Sequence, residues 1–234
     1  PRDIATSVSK GIIDLGVTGL DLTYDSGADV THVLDLGFGA ARFCYAAPKS
    51  SDLTPDAFTA DTRIATSYDT LVRRDLEQRG VDARVISLDG AVEISIQLGV
   101  ADVIADVVQT GRTIDEAGLA TIGAPILNTE AVLVAQNGHT MEKDAAQHFA
   151  ERVKGIIVAR EYVVVEYDLP EEHLPEARKI TPGIESPTVS PLNKDGWVAV
   201  KAMIERESVN AVMDDLTELD ARGIIVTDIR TCRM

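Results

Sequence analysis

The sequence predicts an α/β protein whose C-terminal third is built differently from the rest. Two observations carry that expectation. Through residue 155, short apolar runs alternate with amphipathic runs that stop at glycine, as at Gly80 and Gly99. Strands alternating with helices imply a parallel α/β architecture. From residue 162 the order becomes strand, helix, strand, strand, helix, strand. That is the order of a ferredoxin-like unit of roughly 70 residues. Such units commonly sense small molecules or pair subunits, an inference from fold alone.

Residues 3–10 read as a short helix, with Asp3 as N-cap and Gly11 as stop. Residues 12–17 form a short apolar strand ending in Thr18-Gly19, and 20–26 restart a helix. Residues 33–39 and 41–47 read as successive strands, and 63–67 as another. Residues 68–79 make an amphipathic helix closed by Gly80. A strand at 83–88 precedes a helix at 90–98, closed by Gly99. Residues 103–107 are an apolar strand, 113–118 a short helix, 119–133 strand-like runs and 142–155 a helix. In the last unit, 162–167 is a strand and 170–179 a helix, and strands at 187–192 and 197–204 are joined by a turn at 193–196. Residues 208–222 form a helix with Val209, Val212, Met213, Leu216 and Leu219 on one face, and 223–229 close the unit as a strand. The sequence has no internal repeat, and the polar stretch 136–143 is the best linker.

At 234 residues the chain is long enough for a real core without disulfides or a structural metal. Its 22 Lys and Arg against 38 Asp and Glu give a net charge of -16, which argues against non-specific binding to nucleic acid or anionic membrane. Cys44 and Cys232 are too few for a disulfide framework, so a reduced, cytoplasmic setting is expected. No apolar run is long enough to span a bilayer, and no secretory leader is visible. The start at Pro1-Arg2-Asp3-Ile4 reads as a loop entering a helix, as in a processed or truncated chain.

The sharpest local signal is Asp106-Val107-Val108-Gln109-Thr110-Gly111-Arg112-Thr113. Asp106 falls near the carboxyl end of a strand, where ligands sit in open α/β sheets. The following turn into a helix offers backbone N–H groups to an anion, and Gly111 allows close backbone approach. An acidic residue for ribose hydroxyls followed by Thr-Gly-Arg-Thr makes a workable ribose-5-phosphate cradle. An ordinary strand-to-helix turn with a threonine cap accounts for the same residues. Gly16 and Gly19 bracket a strand end before Asp21, a candidate for a sugar hydroxyl, an adenine amine or a metal-bound water, although local grounds favour a first-turn helix acid. Glu93, after Asp89-Gly90, either faces a cleft or caps a helix. Arg73 and Arg74 are candidate phosphate partners whose usual fate is solvent. The four histidines match no metal spacing, and Cys44 reads as packing. No nucleophile constellation is present.

Several of these stretches together resemble the long form of the ATP phosphoribosyltransferase family, the first enzyme of histidine biosynthesis. The matching segments are DLGVTGLD (14–21), RIATS (63–67), LDGAVE (88–93), ADVIADVVQTGRT (101–113), ITPGIESPTVSPL (180–192), GWVAVKAM (196–203) and IIVTDIRTCR (224–233). The resemblance implies two periplasmic-binding-protein-like catalytic domains with the active site in the cleft between them, and a C-terminal regulatory domain. Catalytic domain I would comprise 1–41 and 136–161, N-terminally incomplete, domain II 42–135, and the regulatory domain 162–234. The implied reaction joins ATP and phosphoribosyl pyrophosphate into phosphoribosyl-ATP and pyrophosphate, with Mg²⁺ and with histidine as feedback inhibitor.

Carried over residue by residue, Asp106 and Glu93 would be catalytic. Residues Asp106, Val107, Val108, Gln109, Thr110, Gly111, Arg112 and Thr113 would hold phosphoribosyl pyrophosphate, with Arg112 the nearest candidate cation, its side chain pointing either to the loop or equally to solvent. Asp21 and Leu22 would face the nucleotide. Asp168, Ile184, Ser186, Thr188 and Gly223 would form the histidine pocket. The resemblance also implies a cytoplasmic homo-oligomer that binds neither nucleic acid nor membrane.

Two departures stand out. The family's N-terminal strand with its Pro-Asn-Lys-Gly-like loop has no counterpart here, which leaves open the activity of a chain starting at Pro1. Asp69-Thr70 stands where the family usually has Pro-Asn. The competing readings are a two-lobed solute-binding protein and a catalytically silent histidine-sensing subunit.

Overall fold

Helix α1 (Arg2–Ser9) begins the structure, a computed structural model that describes residues 2–138 and 145–233. The chain divides into two compact units, one ending at Ala146 and the other starting at Gln147.

In the first unit, β1 (Leu15–Gly19), α2 (Leu20–Ser26) and β2 (Val30–Asp35) follow α1. A second sheet takes β3 (Ala41–Pro48), β4 (Arg63–Thr66), β5 (Arg84–Ser87), β6 (Val103–Val108) and β7 (Leu119–Thr129). Helices α3 (Asp69–Arg79), α4 (Ile94–Gln97) and α5 (Arg112–Glu116) lie along that stretch. The chain then returns to the first sheet as β8 (Ala131–Gln136). The small sheet is ordered β1-β8-β2 and the large one β5-β4-β6-β3-β7. The two lobes are thus joined by two crossings, residues 36–40 and Glu130.

The parallel architecture expected from the alternation holds only for part of the large sheet. Strands β4, β5 and β6 pair in parallel, but β3 runs antiparallel to both β6 and β7. The small sheet is wholly antiparallel. The alternation did not register that β3 arrives from the other lobe by a short crossing, without a helix to reverse its direction.

Both faces of the large sheet are covered, so β3 is an unbroken apolar run. Phe43, Tyr45 and Ala47 pack toward Leu71, Val72 and Leu76 of α3, while Cys44 and Ala46 pack toward Ile104, Val108 and Ile114. Cys44 is accordingly core packing, and burial pushes its thiol up. The buried Tyr45 hydroxyl donates to Asp75 Oδ2 at 2.9 Å, and Arg79 Nε donates to the same oxygen at 2.7 Å. Burial, then the Asp75 charge, pushes the Tyr45 phenol far up, so it stays a donor. At the start of β4, Arg63 donates its Nε and Nη2 to the two oxygens of Asp102 at 3.1 and 2.7 Å, fastening β4 to the entry of β6. In the small lobe, Val8 of α1 meets Val132 and Val134 of β8. A Cβ at Gly16 would collide with Ile4 and Val8, so that glycine permits the close helix–strand contact.

Several expected boundaries move. Residues 12 and 13 are not strand: Gly11 turns at φ +66 and Ile12 is 70% exposed. The strand expected over 33–39 lies at Val30–Asp35, because Gly37 and Gly39 take positive φ and bend the chain into the crossing. The helix expected over 90–98 shrinks to Ile94–Gln97, since Gly90 and Ala91 both have positive φ. Asp3 lies inside α1 rather than capping it. Gln136, the start of the expected linker, pairs with Val30, and 139–143 lie outside the described residues. The small sheet therefore takes in 131–136 as its central strand, ahead of the return expected at 136.

The second unit contains α6 (Ala145–Glu161), which starts at the boundary, then β9 (Tyr162–Pro170) and α7 (Leu174–Ile180). Strands β10 (Thr188–Pro191) and β11 (Trp197–Glu205), helix α8 (Val209–Glu218) and β12 (Arg222–Asp228) follow. From β9 onward the order is βαββαβ and the sheet runs β10-β11-β9-β12, all antiparallel. This is the ferredoxin-like arrangement expected from the sequence. Val163, Val165, Tyr167 and Leu169 alternate into the core against Val212 and Leu216 of α8. Helix α8 stops at Glu218 instead of 222, because Asp220 turns at φ +59 and Arg222 already belongs to β12. The helix expected over 142–155 runs on to Glu161, and residues 142–144 are outside the described residues.

Candidate active site and effector site

Asp106 stands near the carboxyl end of β6, and its Oδ1 accepts the Val107 N–H at 2.7 Å. Burial pushes its carboxyl above the usual range, and the charges of Glu93 and Asp21 push it further. The Val107 N–H and the Arg2 guanidinium work in the opposite direction. The charges of Glu93 and Asp21 therefore reach Asp106, although the three residues come from the turn before α4, from α2 and from β6.

Asp21 is 7% exposed and is fixed at the start of α2. Its N–H donates to Thr129 Oγ1 at 3.0 Å, and the Thr129 hydroxyl donates back to Asp21 Oδ1 at 2.7 Å. Leu22, its neighbour, is half-buried on the same helix. Tyr68, just before α3, completes the group. Burial, then the Asp21 charge and a hydrogen bond to Asp21, raises its phenol, with Asp106 adding to the rise. The Arg2 guanidinium lies 5.0 Å from the Tyr68 ring centre, donates to the Ser67 carbonyl and faces Asp25 at 3.8 Å. Asp25 in turn accepts the Thr70 and Leu71 N–H groups, tying α2 of one lobe to α3 of the other.

Arg2 and Thr129 carried no local signal. Thr129 lies 108 residues from Asp21, and only the fold joins them.

The turn after β6 has the conformation its glycine suggested. Gly111 takes φ +78 immediately before α5. A Cβ there would meet only Val108 Cγ1, at 3.9 Å, so the glycine serves the backbone conformation rather than a tight fit. Thr110 and Thr113 are exposed and Val107 is half-buried. Val108 and Gln109 line a cleft of 370 Å³ with Leu20, Arg42, Asn128 and Glu130.

Arg112 takes the solvent-facing one of the two directions open to it from the sequence. Its Nε donates to Glu116 at 2.7 Å, one helical turn on, in solvent. The i,i+4 spacing that places the two side chains together also turns the guanidinium along the helix. The Arg2 guanidinium acts on the Asp106 carboxyl, and Arg42 lines the cleft. Arg73 is likewise paired, with Asp69 at 2.9 Å.

In the second unit, Asp168 lies on the outer face of β9, opposite Ala199 of β11 and Arg222 of β12. Thr188 begins edge strand β10, opposite Lys201. Gly223 has φ +60 at the bulge between Arg222 and Ile225. Ile184, 50% exposed, and Ser186 sit on the loop into β10. That loop is curled tightly, since a Cβ on Gly183 would stand 3.0 Å from the Ser186 carbonyl carbon. Asp168 and Thr188 share a sheet face but lie two strands apart.

Among the described residues, no group of three or more His, Cys, Asp or Glu side chains is arranged to hold a metal ion. Among the described residues, no helix is long and apolar enough to cross a membrane.

Two sheeted lobes, with acids and a glycine turn beside a cleft, and a separate ferredoxin-like unit are matched by known transferases. Residues 1–155 match the family described as ATP phosphoribosyltransferase (HisG), and residues 159–231 match the HisG C-terminal domain. The chain is 51% identical over 233 residues to the ATP phosphoribosyltransferase of Nocardia farcinica, covering 100% of this chain and 82% of that protein. It is 50% identical to the enzyme of Corynebacterium diphtheriae, covering 100% of this chain and 83% of that one. Among solved structures, the ATP phosphoribosyl transferase (HisG:HisZ) complex from Thermotoga maritima matches with a TM-score of 0.59 and 25% identity, over 68% of this chain and 77% of that one. The chain belongs to the ATP phosphoribosyltransferase family.

Proposed function

We propose that this chain transfers the phosphoribosyl group of phosphoribosyl pyrophosphate to N1 of ATP, giving phosphoribosyl-ATP and pyrophosphate, the first step of histidine biosynthesis. Such an enzyme works in the cytoplasm, as a homo-oligomer inhibited by its pathway's end product. The observation that carries the reading is the meeting of Asp21, Glu93 and Asp106 beside the glycine-turned loop at 109–113.

Adenine N1 forms the new bond to the anomeric carbon as the bond to pyrophosphate breaks. Positive charge grows on the ribose and negative charge on the leaving group. Alignment and electrostatics suffice for such a step, without a covalent nucleophile. Asp106 accepts the ribose hydroxyls, and its carboxylate and that of Glu93 favour the developing positive charge. The amides around Gly111 hold phosphate oxygens. Arg2 and Arg42 offset a net charge of -16 that would otherwise repel two anionic substrates. Asp21, with Leu22 beside it, faces the nucleotide.

The donor set fits Mg²⁺ that enters on the substrate's phosphates, since this ion commonly takes only one or two protein carboxylates. Asp106 and Glu93 are the residues that would hold it, and its chemistry there is charge neutralisation on the departing pyrophosphate. The test is pyrophosphate release that requires ATP, phosphoribosyl pyrophosphate and Mg²⁺ together. Histidine binding without any release would instead favour a silent sensing subunit.

The second unit binds histidine in this reading. Asp168 meets the ammonium, Ser186 and Thr188 meet polar groups, and Ile184 packs on the ring beside Gly223. Inhibition requires that histidine bind one global state better than another. Asp168→Ala is expected to raise the histidine concentration needed for half-inhibition at least about tenfold, the scale of one lost charge-assisted hydrogen bond. An unchanged inhibition curve would place the effector elsewhere.

A further inference from the structure

The outer face of the four-stranded sheet carries two kinds of charge pair. Lys201 and Glu166, opposite one another on β11 and β9, are joined at 2.8 Å. Asp168 and Arg222 are also opposite one another, on β9 and β12, but are not joined. Among the described residues the Asp168 carboxylate enters no ion pair, and neither does the Arg222 guanidinium. Arg222 instead reaches across β9 to the ring of Trp197, with its Cζ 5.1 Å from the ring centre. Trp197 is on β11, opposite Pro170, so the guanidinium crosses the strand beside Asp168. Lys194 Nζ lies 3.6 Å from the centre of the same ring.

The surroundings of Asp168 leave room. Its neighbour on β11 is only Ala199. Gly223, next to Arg222, faces open space where a Cβ would be. An anion alone at this place meets Asp168, and a cation alone meets Arg222. A ligand with both charges in the spacing of an amino acid satisfies the two at once, and the aromatic ring beneath holds the guanidinium in position.

We propose that Arg222 binds the α-carboxylate of the amino-acid effector while Asp168 takes its ammonium. This rests on the reading that the second unit binds histidine, and it supplies the cation that the pocket residues named from the sequence lack. Selectivity for a free amino acid over the corresponding amine is then set by Arg222.

The test uses the full chain, titrated by calorimetry with histidine and with histamine, which lacks the carboxylate. The chain's single tryptophan, Trp197, gives an independent fluorescence signal at the site. The parent is expected to prefer histidine. Arg222→Gln should weaken histidine about tenfold or more while histamine changes less than about twofold, as loss of one charge-assisted pair to a carboxylate requires. Unaltered histamine binding also shows that the site is still folded. Arg222→Lys keeps the charge and should retain the preference, and Lys194→Gln should leave it unchanged. A preference that survives Arg222→Gln, or is lost in Lys194→Gln instead, overturns the assignment while leaving histidine binding intact. No histidine binding by the parent overturns the underlying reading and this proposal with it.

Discussion

Gly111→Val is expected to abolish binding of phosphoribosyl pyrophosphate and leave the fold standing. Gly111 takes φ +78, where a β-branched side chain costs about 1–3 kcal/mol. The turn relieves that strain by returning to negative φ, which re-aims the amides of residues 110–113. A misplacement of about 1 Å in such a cradle costs about a hundredfold. The fold survives because the new side chain meets only Val108, at 3.9 Å from its first atom. Calorimetry with phosphoribosyl pyrophosphate and Mg²⁺ reads the binding, and thermal melting reads the fold. Retained affinity in a normally melting variant would reduce 110–113 to an ordinary turn.

Asp106→Asn is expected to lower kcat/KM by about one to two orders of magnitude, from weaker charge-assisted hydrogen bonds to the ribose. The pH dependence follows from the direction of the shift. Burial and the charges of Glu93 and Asp21 raise the Asp106 carboxyl, so the parent loses its active carboxylate at a higher pH than an ordinary aspartate would. Its kcat/KM should fall on the acid side through that raised pKa, and the variant should lack this limb. Stability moves the other way. A carboxylate raised on folding costs stability above its unfolded pKa, and the cost disappears as pH falls below it. Asparagine removes that cost, so the variant should melt at or above the parent temperature at neutral pH and match it in acid. Full activity in the variant would remove Asp106 from the site.

The βαββαβ order was legible because each element carries its own period, as in the alternation of Val163, Val165, Tyr167 and Leu169 on β9. The loop at 109–113 was legible because a strand end, a glycine and a helix start are contiguous in the chain. The antiparallel course of β3 was not, since a strand's apolar run is the same in either direction and only its partners decide. The direction of Arg112 was not legible, because its position in the chain gives proximity to the loop but not side-chain direction, which here follows Glu116.

By itself the sequence determined the C-terminal topology, the glycine-turned loop, the family resemblance and the three acidic residues. The tertiary structure decided how those acids meet, through Thr129 fastening Asp21 across 108 residues and through Arg2 reaching Tyr68 and Ser67. It also decided that Arg222 leaves Asp168 unpaired and stacks on Trp197. Local periodicity specifies elements because backbone geometry repeats within a segment. Charge partners are settled by register and by lobe crossings, which bring together residues that no local pattern relates.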